Sequence, residues 1–332
     1  MKKILFIILV FVIFLGGIFI ISQKLTKNRA ENKDDSNKIS IVSTLFPIYD
    51  FAKEIGGDKV SVTLLLPPGL EAHSFEPKPS DIIKINQANI FLYTGELMEP
   101  WADDIIKGVS KDVKVVDSSS GVNLIEGFEH EHDEDDEHED GYEDEHEQEG
   151  EDDHHLDPHI WLDFENAKIM ARNIASALEE VDPENTAYYQ NNLENYNLKL
   201  SALDDAYRAT LADCESREII HGGHYAFGYL AKRYNLNYQA AKSFSPNSEP
   251  TASDLIYLVE EIKTSNINHI FYEELLSPKI AETLASETKT KLLLLNAAHN
   301  LTRDDYESGK TFISIMRDNL ESLSLGLNCE LK

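Results

Sequence analysis

Histidine is the residue type with the clearest chemical use in this chain. A neutral imidazole is a good ligand for divalent transition metals, and it suits Zn²⁺ well, with tetrahedral geometry and Zn–N distances of about 2.0 to 2.1 Å. Of the 12 histidines, six lie in one acidic stretch, namely His130, His132, His138, His146, His154 and His155. The other six, which are the candidates for a structured metal site, are His73, His159, His221, His224, His269 and His299.

Four of the latter six follow predicted strands and lie in loops, two in each half of the chain. They are His73 in the Pro/Gly-rich stretch 67–77, His159 after Pro158, His224 after Gly222-Gly223, and His299. Loops at the ends of strands bind ligands in α/β proteins, particularly where two lobes face each other. Together the four predict a metal site in a cleft, although each one alone could be a structural residue.

The two remaining histidines are weaker candidates. His221 lies three residues before His224 and is an alternative ligand in the same loop region. His269 lies within an apolar strand that leads to Ile270 and Phe271, and we expect it to be a core or strand-end residue.

These loops depend on an α/β framework, which the sequence shows from Ile39 onward. Short apolar stretches alternate with helical ones in both halves, and this alternation predicts mostly parallel sheets flanked by helices. The chain has 332 residues, 42% of them hydrophobic, which suffices for two such lobes. We predict an N-terminal signal or anchor segment 1–22, a flexible stalk 23–38, an N-terminal lobe 39–182, a linking helix 183–212 and a C-terminal lobe 213–332.

A long helix is predicted between the lobes. Asp182-Pro183-Glu184 is typical of a helix start, with Asp as the N-cap and Pro in the first turn. Apolar residues then recur at steps of three and four along one face as far as Leu211. At 1.5 Å per residue the helix would measure about 43 Å and could serve as a spine. The final predicted helix runs from Arg303 to Leu325.

Residues 126–155 interrupt the N-terminal lobe. The stretch 129–153 carries 17 Asp or Glu and no Lys or Arg, within a chain of net charge −30. With so few apolar residues it is predicted to be a disordered insertion. Its imidazoles and carboxylates could hold Zn²⁺ weakly and either gather it for a tighter site or sense zinc sufficiency. The alternative is a solvated acidic loop whose histidines are incidental. The negative charge also disfavours nucleic acid as a partner.

The N-terminus and the cysteines indicate a membrane and an oxidising compartment. Lys2 and Lys3 precede an unbroken apolar run, 4–21, which is about long enough to cross a bilayer. No small-x-small cleavage site and no lipidatable Cys accompany it, so we favour an uncleaved signal-anchor. Cys214 and Cys329 could form one long-range disulfide or remain two buried thiols.

Several motifs, in the right order, resemble those of one protein family. They are the stretches 67–81 and 157–163, His224-Tyr225-Ala226-Phe227-Gly228-Tyr229, and Ser248-Glu249-Pro250. From about Ile39 to the C-terminus, apart from the insertion, the chain resembles the zinc and manganese class of solute-binding proteins of ABC importers. The resemblance implies two α/β lobes, a rigid long helix and a single metal site between the lobes. By position, His73, His159 and His224 match the first three ligands of the family.

The fourth ligand of that family is usually Asp or Glu, and the matching position here is His299. A water or a nearby carboxylate could complete the site instead. With His299 as a ligand, an all-imidazole site would favour Zn²⁺ over Mn²⁺, which prefers harder oxygen ligands. Glu249 and Glu274 also match recurrent family positions, and a role at a helix start or in packing is the default expectation for both.

The resemblance implies a monomeric, extracytoplasmic, high-affinity Zn²⁺ receptor that delivers the ion to an ABC permease and its ATPase. The N-terminal segment would anchor it to the membrane or direct its export. The alternatives are Mn²⁺ as the cargo, or a surface zinc buffer or adhesin of the same fold. Catalysis is not expected, because the sequence has no His-Glu-x-x-His zinc motif, no Gly-x-Ser-x-Gly elbow and no phosphate-binding Gly-rich loop.

Overall fold

The computed structural model describes residues 38–127, 156–244 and 248–329. The predicted signal-anchor, the stalk apart from its last residue, and almost all of the predicted acidic insertion lie outside the described residues. Within the described ranges, no helix is both long enough and apolar enough to cross a lipid bilayer.

Two four-stranded parallel sheets form the centres of two lobes, which confirms the predicted fold class. The first sheet has the order β2-β1-β3-β4 and consists of β1 (Ile39–Ser43), β2 (Val60–Leu64), β3 (Ile90–Tyr93) and β4 (Lys114–Asp117). The second has the order β6-β5-β7-β8 and consists of β5 (Glu218–His221), β6 (Asn237–Ala240), β7 (His269–Tyr272) and β8 (Lys291–Leu294). In both sheets the two central strands are the most deeply buried, as expected for parallel strands that helices cover.

Ten α-helices flank the sheets in the part of the chain that the structure describes. The N-terminal lobe contains α1 (Phe46–Gly56), α2 (Pro79–Gln87), α3 (Ala102–Ile106) and α4 (Phe164–Val181). The link between the lobes is α5 (Thr186–Leu211). The C-terminal lobe contains α6 (Gly228–Tyr234), α7 (Ala252–Thr264), α8 (Lys279–Thr288), α9 (Arg303–Ser308) and α10 (Phe312–Gly326).

The linking helix α5 packs against both lobes. It contacts α1 and α4 on one side and α10 on the other. Its α-helical part begins at Thr186, slightly later than predicted, because Pro183–Asn185 forms a 3-10 turn. Its buried face carries Tyr189, Tyr196, Leu200, Leu203, Tyr207 and Leu211. One contiguous apolar cluster includes these side chains together with core residues of both lobes, so the lobes share a core across the link.

The predicted final helix, Arg303 to Leu325, is wrong in one respect, because the structure contains two helices there. The helix α9 ends at Ser308, and Gly309 then takes a left-handed conformation with φ 75°. Thr311 caps α10 by accepting a hydrogen bond from Ser314 N. Gly tolerates positive φ without steric cost and Thr is a favoured N-cap, so these two residues break the helix locally.

Cys214 and Cys329 form a disulfide. The first follows α5 and the second lies at the end of the described chain, 115 residues later, so the bridge encloses the second sheet. Of the two alternatives from the sequence, the long-range disulfide is the one that the structure contains.

Candidate metal centre

The structure brings the four strand-end histidines together where the lobes meet. His73 lies between β2 and α2, and His159 comes directly before the 3-10 turn that precedes α4. His224 lies between β5 and α6, and His299 lies between β8 and α9. One ring nitrogen from each histidine lies within 4.8 Å of one from each of the others. His159, His224 and His299 are buried, and His73 is partly buried.

The spacing and the unpaired state of the ring nitrogens suit a tetrahedral cation. Nε2 of His73 and Nε2 of His159 are 3.3 Å apart. Two nitrogens that share a tetrahedral Zn²⁺ at about 2.0 to 2.1 Å would be separated by about 3.3 Å. The Nε2 atoms of His224 and His299 are buried without a hydrogen-bond partner among the described residues. Because such nitrogens are costly to bury unpaired, the pocket favours a ligand that accepts their lone pairs.

In the N-terminal lobe, each histidine is supported by a carboxylate two residues before it. Asp157 Oδ1 accepts a hydrogen bond from the backbone N of His159 (2.9 Å) and lies 2.7 Å from its Nδ1. Glu71 Oε1 accepts from the backbone N of His73 (2.7 Å). The contact with Asp157 fixes the ring of His159 so that Nε2 faces the pocket.

In the C-terminal lobe, the supporting carboxylates follow β7. Glu273 Oε1 accepts a hydrogen bond from the backbone N of His224 (2.9 Å), and its Oε2 contacts Nδ1 of the same ring. Glu274 Oε2 accepts from Ala297 N (3.1 Å), and its Oε1 lies 3.9 Å from Nδ1 of His299. Asp157 and Glu273 therefore hold one histidine each in the same way, through both backbone and ring.

Gly223 makes the contact between Glu273 and His224 possible. A Cβ added at Gly223 would collide with Glu273 Oε1 and with the ring of His221. Gly223 is therefore explained by the close approach of this carboxylate, whereas a Cβ at Gly222 would collide with Ala281 of α8.

Burial keeps the rings of His73, His159 and His299 neutral at pH 7. It lowers the pKa of His73 and of His299 to about 3, and the neighbouring rings add to this effect. For the same reasons the pKa of His159 is well below its ordinary value. A neutral imidazole is the form that binds a metal, so at neutral pH these rings need not lose a proton first.

The carboxyl groups behind the rings differ in charge. Burial alone would raise the pKa of Glu273, but the adjacent His224 and His221 outweigh burial and hold that pKa at about 2. Burial raises the pKa of Asp157 to about 8. Burial and, secondarily, the charge of Glu273 raise the pKa of Glu274 to about 8. Of these three carboxyl groups, Glu273 is therefore the one that is firmly ionised.

Further hydrogen bonds join the lobes around the pocket. Trp161 Nε1 donates to the carbonyl oxygen of Ala297 (2.8 Å) across the contact between the lobes. Tyr229 Oη, in α6, donates to the carbonyl of Asp157 (3.2 Å). Arg233, one turn further along α6, pairs with Asp163 (3.0 Å), the N-cap of α4. The segment that carries His159 is thus bonded to the C-terminal lobe.

The other candidates of the sequence lie outside the cluster. His221 is buried at the end of β5, with its ring against Phe227, and burial lowers its pKa to about 4. His269 is the first residue of β7, and Glu249 is exposed. Sequence reasoning gave no supporting role to Asp157 or Glu273. The acid-x-His spacing could have revealed Asp157, whereas Glu273 has no such local signal.

Two α/β lobes with converging imidazoles between them define a two-lobed metal-ion receptor. The family described as "Zinc-uptake complex component A periplasmic" (ZnuA) matches residues 41–326. The chain therefore belongs to the ZnuA family, and the resemblance to metal-ion solute-binding proteins is confirmed.

Curated relatives support this membership. The chain is 40% identical, over 299 residues, to "High-affinity zinc uptake system protein ZnuA" of Bacillus subtilis, with 90% of each chain covered. It is 33% identical to "Zinc-binding protein AdcA" of Streptococcus pyogenes, where 87% of this chain spans 56% of that longer protein. Both names concern zinc.

Solved structures agree with the fold. The Zn(II)-bound ZnuA-like domain of AdcA from Streptococcus pneumoniae superposes with a TM-score of 0.71 at 30% identity, covering 88% of this chain and 99% of that one. The laminin-binding protein Lmb of Streptococcus agalactiae, described as bifunctional with adhesin and metal-transporting activity, gives a TM-score of 0.74 at 28% identity, covering 87% and 99%. The family is thus one of metal-uptake proteins, and the likeness includes a zinc-bound structure.

Proposed function

We propose that this chain is an extracytoplasmic, high-affinity Zn²⁺ receptor that delivers the ion to an ABC permease and its ATPase. In this proposal His73, His159, His224 and His299 are the four ligands of a single tight site. The observation that carries it is the convergence of four buried or partly buried imidazole nitrogens within 4.8 Å, in a chain of a zinc-uptake family. The names of the relatives, which concern zinc uptake and zinc binding, favour the same cargo.

The donor set favours Zn²⁺ over Mn²⁺. Four neutral nitrogen donors match the preference of Zn²⁺, whereas Mn²⁺ prefers carboxylate oxygens. The nearest carboxylates, Asp157 and Glu273, contact Nδ1 atoms of the rings and therefore act behind the ligands. Four protein ligands complete a tetrahedron and leave no position for a reactive water, which argues against hydrolysis.

The proposed mechanism is capture, delivery and release by two lobes, 39–182 and 213–332, joined by the helix 183–212. The shared apolar core around α5 supports a small movement between the lobes. The acid- and His-rich insertion, which ends a few residues before His159 in the sequence, would hold further Zn²⁺ weakly. The N-terminal segment would tether the monomer to the outer face of the cell membrane.

The test is metal competition on the purified chain, with Zn²⁺ against Mn²⁺ in the parent, in His299→Ala and in His269→Ala. We expect one tight Zn²⁺ in the parent, strong weakening in His299→Ala and no change in His269→Ala, whose ring lies in β7. Tight Mn²⁺ binding, or equal affinity of the parent and His299→Ala, would contradict the ligand set. Deleting 129–155 should remove weak zinc equivalents and leave the tight one.

A surface adhesin or zinc buffer is the second candidate, favoured by the likeness to the bifunctional Lmb. Both functions would use the same fold but differ in the need for a permease. Growth of a deletion strain under zinc chelation separates them. Impaired growth that added zinc restores supports uptake, whereas unaffected growth supports the adhesin or buffer.

A further inference from the structure

The loop that carries His299, residues 296–301, is hydrogen-bonded to both lobes. Within its own lobe, Asn319 Oδ1 accepts from Asn296 N (2.8 Å), and Asn319 Nδ2 donates to Asn296 O (2.7 Å). Towards the other lobe, the carbonyl of His299 accepts from Phe46 N (3.2 Å). This loop therefore sets the position of one histidine relative to the N-terminal lobe.

Asn300 makes the most direct link from this loop to the loop of His73. Its side chain is fully buried, and its Nδ2 donates to the carbonyl oxygens of Pro67 (2.8 Å) and Leu70 (2.9 Å). Its Oδ1 accepts from Leu301 N (2.8 Å), and the carbonyl of Leu301 accepts from Gly69 N (2.8 Å). Both N–H groups of the planar amide are thus used in joining the two loops, and its oxygen is held by the next residue of its own loop.

We propose that Asn300 is a positioning residue for the metal site: it holds the His73 loop against the His299 loop, so that the four rings are assembled before the ion arrives. The inference rests on the proposed function of that site. Leu70, whose carbonyl Asn300 holds, is followed directly by Glu71, which accepts the backbone N–H of His73 (2.7 Å). A shift at Leu70 is therefore passed to His73 within three residues.

The link differs in kind from the contact made by α5. That helix packs against helices of both lobes and holds them together through apolar surface. Asn300 instead bonds directly to backbone carbonyls of a ligand-bearing loop and adds little apolar area. Its loss should therefore alter metal binding more than it alters the stability of the shared core.

The experiment compares the parent, Asn300→Ala and Asn300→Asp with a matched control, Asn166→Ala. Asn166 is equally buried and also bonds backbone through both ends of its amide, to Asn123 N (2.9 Å) and Asn123 O (3.0 Å), but within one lobe. We expect Asn300→Ala to raise the Zn²⁺ dissociation constant about 10- to 100-fold, as loss of outer-shell support does. Asn300→Asp, which turns a carboxylate towards two carbonyl oxygens, should be at least as damaging. Asn166→Ala should lower the melting temperature but leave zinc affinity within about twofold of the parent.

Two readouts separate positioning from a general loss of structure. The visible d–d bands of the Co²⁺-loaded protein report ligand geometry, and they should change in the Asn300 variants but not in Asn166→Ala. Hydrogen exchange of the metal-free parent requires no variant. Because the Gly69 amide donates to the carbonyl of Leu301 across the two loops, it should be strongly protected. Parent-like zinc affinity and Co²⁺ bands in Asn300→Ala, or fast exchange at Gly69, would overturn the inference. Failure of the parent itself to bind Zn²⁺ would instead reject the proposed function.

Discussion

The two lobes take the carboxylates that support their histidines from different places in the chain, although their sheets have the same kind of strand order. In the N-terminal lobe the supporting carboxylate lies two residues before the histidine, in the same loop. In the C-terminal lobe the supporting carboxylates follow β7, and the histidines follow β5 and β8. The local pairs are Glu71 with His73 and Asp157 with His159, and the distant pairs are Glu273 with His224 and Glu274 with His299.

The difference shows that one half of the site is built by local sequence and the other by tertiary structure. A short turn brings Asp157 to His159 whether or not the neighbouring strands are in register. Glu273 reaches His224 only because β7 pairs with β5, with Phe271 opposite His221. The C-terminal half of the site should therefore be more sensitive to changes that loosen its lobe, and that lobe is the one with the disulfide.

The largest effect is expected from removing the disulfide with the double substitution Cys214→Ser and Cys329→Ser. Since the bridge closes a loop of 115 residues, its loss should lower the free energy of unfolding by about 2 to 4 kcal/mol. Urea unfolding of the metal-free protein measures this. Reductant should reproduce the loss in the parent and have no effect on the double variant. A parent-like unfolding curve for the double variant would show that the bridge does not stabilise the lobe.

The second prediction compares Glu273→Ala with Asp157→Ala. Both should weaken Zn²⁺ binding, by about 100-fold and about 10-fold respectively, because outer-shell partners typically contribute in that range. Asp157→Ala should weaken Zn²⁺ binding less, since Pro158 restrains the turn and Tyr229 still holds the carbonyl of residue 157. Competition with a chelating dye gives both affinities.

The matched control for this pair is Glu99→Ala. Glu99 is also a buried carboxylate that accepts two backbone N–H groups, from Thr94 (2.5 Å) and Gly95 (3.3 Å), but it lies outside the histidine cluster. The Glu99→Ala variant should therefore lose stability without losing zinc affinity. An equal loss for Asp157→Ala and Glu273→Ala would show that local and distant support are equivalent.

The sequence predicted the fold and, with the family resemblance, the four histidines that the structure brings together, whose role as metal ligands stays a prediction; it did not predict what supports them. Alternating apolar stretches predicted both sheets, and the strand-end loops placed His73, His159, His224 and His299 on the facing sides of two lobes. Glu273 could not be predicted, because its partner is 49 residues away and the pairing depends on strand register. The same holds for Asn300, whose carbonyl partners lie in the other lobe. Gly309 was a readable signal for the helix break, since positive φ is the reason for Gly in such a position.

The third prediction concerns Asp50, a buried carboxyl at the contact between the lobes. Its Oδ2 accepts from Phe312 N (2.9 Å) at the start of α10, and burial raises its pKa from 3.8 to about 7, although that hydrogen bond opposes the shift. The folded protein therefore holds this proton more tightly than the unfolded chain. This contribution to stability is present at low pH and is lost as pH rises from about 4 through 7.

Asp50→Asn, which stays neutral, should become more stable relative to the parent as pH rises from 5 to 8, by on the order of 1 kcal/mol. Unfolding at several pH values measures the difference. Asp204→Asn is the control: hydrogen bonds to Arg233 and Tyr234 overcome burial and hold the pKa of Asp204 at about 2. The contribution of the Asp204 carboxylate to stability is lost only below about pH 4. The difference in unfolding free energy between Asp204→Asn and the parent should therefore be constant between pH 5 and 8. A constant difference for Asp50→Asn as well would contradict the prediction.

The smallest effect is expected from Glu274→Gln, the neighbour of Glu273. Because burial and the charge of Glu273 raise its pKa to about 8, Glu274 is mostly neutral at pH 7, and a neutral amide can accept the same hydrogen bond from Ala297 N. Metal-free Glu274→Gln should therefore unfold within about 0.5 kcal/mol of the parent. Glu274→Ala leaves that buried N–H unpaired and should lose about 1 to 3 kcal/mol. Glu273→Gln removes an ionised carboxylate and should also be clearly destabilised. If Glu274→Gln lost as much stability as Glu274→Ala or Glu273→Gln, both carboxylates would be charged, contrary to the prediction.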